Sequence, residues 1–452
     1  MEFLKEIALP QPLEHFQLLL FILNMLFIVF LPSLGFVMGS SMLAVRYARR
    51  SRTSGDPLEA RFARDLIGTA MFTKSGVTFF VVLPALALVF LFAQFLQGTP
   101  AIAAGLMGFG FLSLLVAITL LYAFKYNLDL QRVLGATPGM APGAKHLRES
   151  NAATLTSTGR WGTIFILLGS ALSLGAISIT VNRESWTDVG SVFDLLVNAD
   201  FWVRYLHFIA VSLGATGIGT LFFLFQWEGG QRPADETYEK YVRQIALRLA
   251  SVSLLAQPLL MIGSVALLPK GALTGMVFGL TGLSLFCLFL TATFLYAYHS
   301  ERRGLYVSYA FYALGVGLFL VFTKDQIAIR NATTDRAASL AIAADRELDV
   351  LKARMGVAAA AMSGQEIFDA RCSACHMFDQ KKVGPPYREV IPKYEGKKAG
   401  LMAFVLNPVK VNPAYPNMPN QGLKASEADS IATFLLAKFT KPPASVPPGK
   451  TP

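Results

Sequence analysis

The chain has 452 residues, of which 54% are hydrophobic and only 15% charged, and this excludes an ordinary soluble protein. Its formal net charge is +11, but the basic residues gather between apolar runs. That pattern reads as a membrane-topology signal, so nucleic-acid binding is not inferred.

At the start of the chain Glu2, Lys5 and Glu6 do not form the basic region of a secretory leader, and no small-residue cleavage site follows, so no cleavable signal is expected. Eight apolar stretches then come in succession, at about 16–45, 66–97, 101–125, 161–181, 201–227, 243–268, 273–298 and 306–323. Each is long enough, or nearly so, to cross about 30 Å of hydrocarbon as a helix. Pro84 in the second and Gln257-Pro258 in the sixth are tolerable, because neighbouring helices can satisfy the freed carbonyls.

Charge sets the expected orientation. The connection after the first stretch carries Arg46, Arg49, Arg50, Arg52, Arg61 and Arg64, and that after the seventh carries Arg302 and Arg303. The connection between the fourth and fifth holds Glu184, Asp188, Asp194 and Asp200 against Arg183 alone. Basic connections stay in the cytoplasm, which puts both chain termini outside. Lys74, with Thr73 and Ser75, is expected about two turns into the second stretch, where snorkelling to the interface explains it at least as well as a site does.

Five histidines occur in the chain, so each can be weighed. His146 and His299 fall at the cytoplasmic side and read as solvated, and His15 stands at the outer entrance of the first stretch. His207 lies about six residues into the fifth stretch, roughly 9 Å below the outer surface at 1.5 Å per residue. An imidazole at that depth is costly unless it is paired or ligating. An interhelical hydrogen bond would satisfy it, and so would the iron of a haem b. Two features favour haem: Gly214 falls two turns along the same face, leaving room for a flat macrocycle, and Arg204 lies one turn outward, where a propionate would emerge.

The run Arg204-Tyr205-Leu206-His207 through Gly214, Gly217 and Gly219 to Phe225 resembles the fifth helix of subunit I of the cytochrome bd family. The resemblance implies that His207 ligates a low-spin haem b and that Met276, in Gly275-Met276-Val277-Phe278-Gly279-Leu280, is its partner ligand. His15 is the alternative partner, giving a bis-histidine haem. The chain also departs from that family. No histidine lies between His15 and His146, so none precedes Pro32 where the oxygen-reducing site needs one. Ala101 to Phe124 has no Asp or Glu, the eighth stretch has no carboxylate until Asp325, and the long quinol loop shrinks to about Pro269-Lys270-Gly271. The chain is therefore not expected to reduce oxygen by itself.

Thr333 to Met362, rich in Ala with interleaved charges such as Asp345-Arg346-Glu347-Leu348, predicts a helical spacer. Cys372-Ser373-Ala374-Cys375-His376 follows, the pattern for covalent attachment of a c-type haem, with the thiols on the vinyl groups and the imidazole beneath the iron. Zinc would need two more soft ligands nearby, and a disulfide would leave His376 idle. Cys287, inside an apolar run, reads as a packing residue. Such haem is attached outside the cytoplasmic membrane, in agreement with the charge pattern.

After the motif come Gly384-Pro385-Pro386-Tyr387, a polar helical segment, Asn417-Met418-Pro419-Asn420 and an amphipathic run from Ser426 to Phe439. From Gly364 to Lys438 this resembles a class I cytochrome c. The resemblance implies that Met418 is the distal iron ligand; Met402, in a predicted helix, is its rival and otherwise a core residue. A thioether ligand raises the potential and favours electron transfer.

The expectation is an all-α protein: a membrane bundle over 1–325, a helical linker over 326–362, a monohaem cytochrome c domain over 363–442 and a Pro-rich tail over 443–452. Its function is read as an electron-transfer subunit in the bacterial cytoplasmic membrane, relaying electrons between haem b near the outer leaflet and haem c. Expected partners are lipid, other subunits of a respiratory complex, a quinone or quinol, and a periplasmic electron-transfer protein. Lys381, Lys382, Lys397 and Lys398 read as a docking face for an acidic partner or as plain solvated surface. Two alternatives stay open: a haem-free anchor tethering the cytochrome, and an oxidase subunit whose oxygen site lies in another chain.

Overall fold

A computed structural model describes residues 12–136, 142–227, 235–355 and 362–439, with the side chains of 135, 136 and 142–145 left aside. The readings placed on Glu2, Lys5 and Glu6, on part of the spacer and on the tail at 443–452 lie outside the described residues. Within them all regular structure is helical and no strand occurs. Eight helices are long and apolar enough to cross a membrane: α1 (Leu13–Ser54), α3 (Lys74–Phe95), α4 (Ala103–Ala136), α5 (Pro142–Val181), α6 (Ala199–Phe225), α7 (Glu236–Ala266), α8 (Gly275–Glu301) and α9 (Leu305–Arg354). A ninth, the amphipathic α2 (Pro57–Ala70), lies between α1 and α3.

The second apolar stretch begins later than its composition suggests. Instead of running from residue 66, it is cut where α2 ends at Met71 and Thr73 caps α3, its hydroxyl accepting from the Gly76 N–H at 3.0 Å. Lys74 is thus the exposed first residue of α3 and not a residue two turns inside it. Pro84 also leaves its mark on α3. The turn before it, Thr78–Val82, widens to π geometry, the usual response where the regular hydrogen-bond ladder is interrupted.

Chain contacts group residues 20–332 into one unit and residues 12–19 with 333–439 into a second. In the first unit α4 packs on α5 and α6 on α7 most extensively. The apolar segments of α5 and α6 are 72% buried, those of α7 and α8 only 33%, so α5 and α6 are central and α7 and α8 peripheral. Around Pro258 the polar groups pair internally: Gln257 donates to Ser253 at 2.9 Å, and the Ser253 hydroxyl donates to the Ala210 carbonyl of α6. This is the internal satisfaction that hydrocarbon demands of every buried polar group.

In the second unit the chain forms a short helix over 364–372 (α10), then α11 (Tyr387–Val390), α12 (Lys398–Leu406) and α13 (Ala425–Phe439). Ala428, Ile431, Ala432 and Leu435 form the buried stripe of α13, a helical repeat that faces α10 and α12. Of these, Ile431, Ala432 and Leu435 make one core with Ile367, Phe368, Tyr387, Leu401 and Met402. Helix α9 runs unbroken through residues 325–326, and past Thr333 its own Ala338 and Ile342 join that core. Its Asp345 accepts from the Ser426 N–H at 2.8 Å, capping α13.

Candidate functional site

The Cys372–His376 motif is wound as a tight turn at the end of α10. The Cys372 carbonyl accepts from the Cys375 and His376 N–H groups, and the Cys375 carbonyl accepts from those of Val383 and Gly384. The loop is thereby folded back over the motif. His376 Nδ1 lies 3.0 Å from the Pro385 carbonyl, which can only accept, so Nδ1 carries the proton and Nε2 keeps a free lone pair. The Tyr387 ring stacks on the imidazole at 4.7 Å and holds its plane. Gly384 lies so close that a Cβ there would come within 2.8 Å of both ring nitrogens. Orientation by a hydrogen bond on the far nitrogen is how proteins present histidine to a metal.

A cavity of about 290 Å³ opens in front of this turn. Cys372, Cys375 and His376 lie on its wall, and so does Met418, contributed by the loop before α13. Met402 instead is buried in the core. Leu401, Val405 and Leu435 add apolar wall. Two thiols, an imidazole with its Nε2 lone pair free, a thioether and an apolar slot are the donor set that a covalent haem requires, and the residues present fit that group.

The first unit holds a second polar cluster. His207 and Arg204 on α6 are both buried. Arg204 Nε lies 2.8 Å from Asp200 and its Nη1 2.9 Å from Asp325 of α9. Lys324 Nζ stands 3.0 Å from Asp325 and 3.4 Å from Ser264 of α7, and Ser178 of α5 donates to Asp200 at 2.6 Å. Two cations and two carboxylates are thus paired within and between α6 and α9, with serine hydroxyls of α5 and α7 beside them. Asp200, Lys324 and Asp325 were not singled out in the sequence as site residues. Their signals were an Asp–Arg pair at i,i+4 in an apolar helix, and Lys-Asp closing the last apolar run.

The positions expected around haem b are otherwise engaged. Arg204, assigned to a propionate, gives Nε and Nη1 to protein carboxylates and keeps Nη2 buried with no hydrogen-bond partner among the described residues. Gly214, expected to clear space for a macrocycle, lets α6 approach α7, since a Cβ there would meet the Ser253 hydroxyl at 2.5 Å. Met276 is 63% exposed on the peripheral α8, whereas His207 is 7% exposed. His15 belongs to α1 and groups with the second unit. Two features do fit a ligand: His207 Nε2 and Arg204 Nη2 are both buried with no hydrogen-bond partner among the described residues.

A motif turn, an oriented imidazole and a methionine on one apolar cavity define a small haem-binding electron-transfer domain, carried by a chain with membrane-crossing helices. A family model for cytochrome c matches residues 361–438. Cytochrome c-551 of Pseudomonas denitrificans is 33% identical over 79 residues, 16% of this chain and 95% of that protein. Cytochrome c-551 of Azotobacter vinelandii is 32% identical over 79 residues, again 16% of this chain and 95% of that protein. Cytochrome c-552 of Hydrogenobacter thermophilus is 31% identical over 94 residues, 20% of this chain and 94% of the relative. Through its C-terminal part the chain belongs to the cytochrome c family, and that domain carries covalent haem c.

Proposed function

We propose that this protein is an electron-transfer subunit of the bacterial cytoplasmic membrane, passing single electrons through a haem c held outside the membrane. The observation that carries this reading is the cavity that gathers Cys372, Cys375, His376 and Met418. Cys372 and Cys375 would bind the haem covalently, and His376 and Met418 would hold its iron. When bound, the group supplies a one-electron couple. The protein's own part is to hold the His376 imidazole through the Pro385 carbonyl and Tyr387, and to keep the slot apolar. The arginine-rich connection after α1 supports a cytoplasmic assignment for that loop and an outer one for the cytochrome. The electron partners are a quinol or a periplasmic redox protein, within a larger respiratory complex.

The finer reading is a relay in which His207 also ligates a haem b, in the manner of cytochrome bd subunit I. Its support is the orphaned His207 Nε2. The close approach of α7 at Gly214 and the exposed Met276 favour the alternative, a membrane anchor without haem b. An oxidase role would need oxygen-site ligands from another chain. A pyridine haemochrome spectrum of the purified chain beside His207→Ala separates these. One c haem plus one b haem, with the b signal alone lost in the variant, supports the relay. A c haem alone, unchanged by the substitution, leaves the anchored cytochrome. Absence of c haem from the wild-type protein would overturn the whole proposal.

A further inference from the structure

We propose that the groove between α7 and α8, at the end where α7 begins and α8 stops, binds an anionic phospholipid of the adjoining leaflet. The groove encloses about 800 Å³. Its rim carries Lys240, Arg243 and Arg248 from α7 with His299 and Arg302 from α8, and no Asp or Glu lines it. Glu301, nearby, is engaged with Arg303 and Tyr306, and Glu239 precedes Lys240 on α7.

Polarity is graded along the groove. Leu254 and Leu255 lie six and seven residues beyond Arg248, about 10 Å deeper at 1.5 Å per residue. Leu295 lies one to two turns deeper than His299 and Arg302. Cations above an apolar trough match a phosphate head above an acyl chain, and basic pockets between membrane helices are where anionic head groups settle. Basic residues at helix ends are common on the cytoplasmic side, so their presence alone decides nothing. Here two helices direct them into one trough.

A second observation comes from the backbone. Arg302 is the sole non-glycine residue with positive φ among the described residues, at φ 57° and ψ 22°. An arginine enters that region at an energetic cost, and here it ends α8 at the groove. Glycine would relieve the strain, which makes Arg302→Gly a variant expected to fold at least as well as the parent.

The test is native mass spectrometry of the purified full chain with an equimolar mixture of phosphatidylglycerol and phosphatidylcholine of equal chain length. Phosphatidylglycerol should be retained at least tenfold over phosphatidylcholine. The number of retained phosphatidylglycerol molecules should fall by one in Arg302→Gly and in Arg243→Gln/Arg248→Gln. It should stay unchanged in Arg148→Gln/Arg303→Gln. Counting molecules keeps this groove distinct from the basic one lined by Arg46, Arg49 and Arg160. Equal retention of both lipids, or an unchanged count in the groove variants, would overturn the proposal. Displacement by millimolar inorganic phosphate would also overturn it, by reducing the groove to a bare anion site.

Discussion

His376 has its Nδ1 committed to the Pro385 carbonyl and its ring stacked on Tyr387, so the imidazole has almost no freedom to move. Gly384→Ala should therefore act as overpacking against a fixed ring and cost about 1–3 kcal/mol in the cytochrome unit. The check is thermal unfolding followed at the haem band; an unchanged midpoint would show that the ring yields. At the start of α10, Ser363 and Glu366 form a reciprocal cap, with the Ser363 N–H donating to Glu366 at 2.6 Å. That bond holds the Glu366 carboxyl below its ordinary range. The cap's contribution is present above the unfolded carboxyl pKa of about 4.3 and fades as pH falls through the lower folded value. Glu366→Gln should flatten the acid limb of stability against pH, and parent and variant should converge at the lowest pH. Parallel acid-unfolding curves would contradict this.

Among the elements, α9 changes the reading most. Its apolar run was legible as a span and its Ala-rich continuation as helix, but the two form one helix whose Asp325 joins a buried ion cluster with Arg204 of α6. Pairing of this kind is decided by which helices meet, which no local pattern in a single span encodes. Asp325→Asn leaves Lys324 without its carboxylate and Arg204 with one of two. Breaking a buried pair in this way costs about 3 kcal/mol. Thermal denaturation of the detergent-solubilised chain measures it, and a variant as stable as the parent would mean that water reaches the cluster. The same logic explains Arg204 and Gly214. Arg204, one turn outward from His207, meets Asp325 of α9, and Gly214, two turns along, faces Ser253 of α7.

For the whole molecule, membrane bundle and cytochrome unit have separate apolar cores, one built from long spans and one from α10, α12, α13 and the tail of α9. Cys372→Ser/Cys375→Ser should abolish covalent haem c and weaken the cytochrome unit while leaving the unfolding transition of the bundle in place. Haem staining of the denatured chain and calorimetry together test this. Loss of both transitions would show one cooperative core. The peripheral position of α7 and α8, known only from the assembled bundle, is also what opens their basic groove.

Sequence alone determined the eight spans and the haem-attachment motif. A span is a matter of local hydrophobicity and length, and the motif's thiols and imidazole are contiguous in the chain. Met418 was singled out by its order and spacing after the motif, and it lies on the wall of the cavity that holds Cys372, Cys375 and His376. Tertiary structure decided what the buried charges meet, that Gly214 serves helix packing, that Met276 is exposed, and that α9 contributes to the cytochrome core. Those facts depend on contacts between segments as much as 121 residues apart, where only the packed fold sets which side chain stands opposite which.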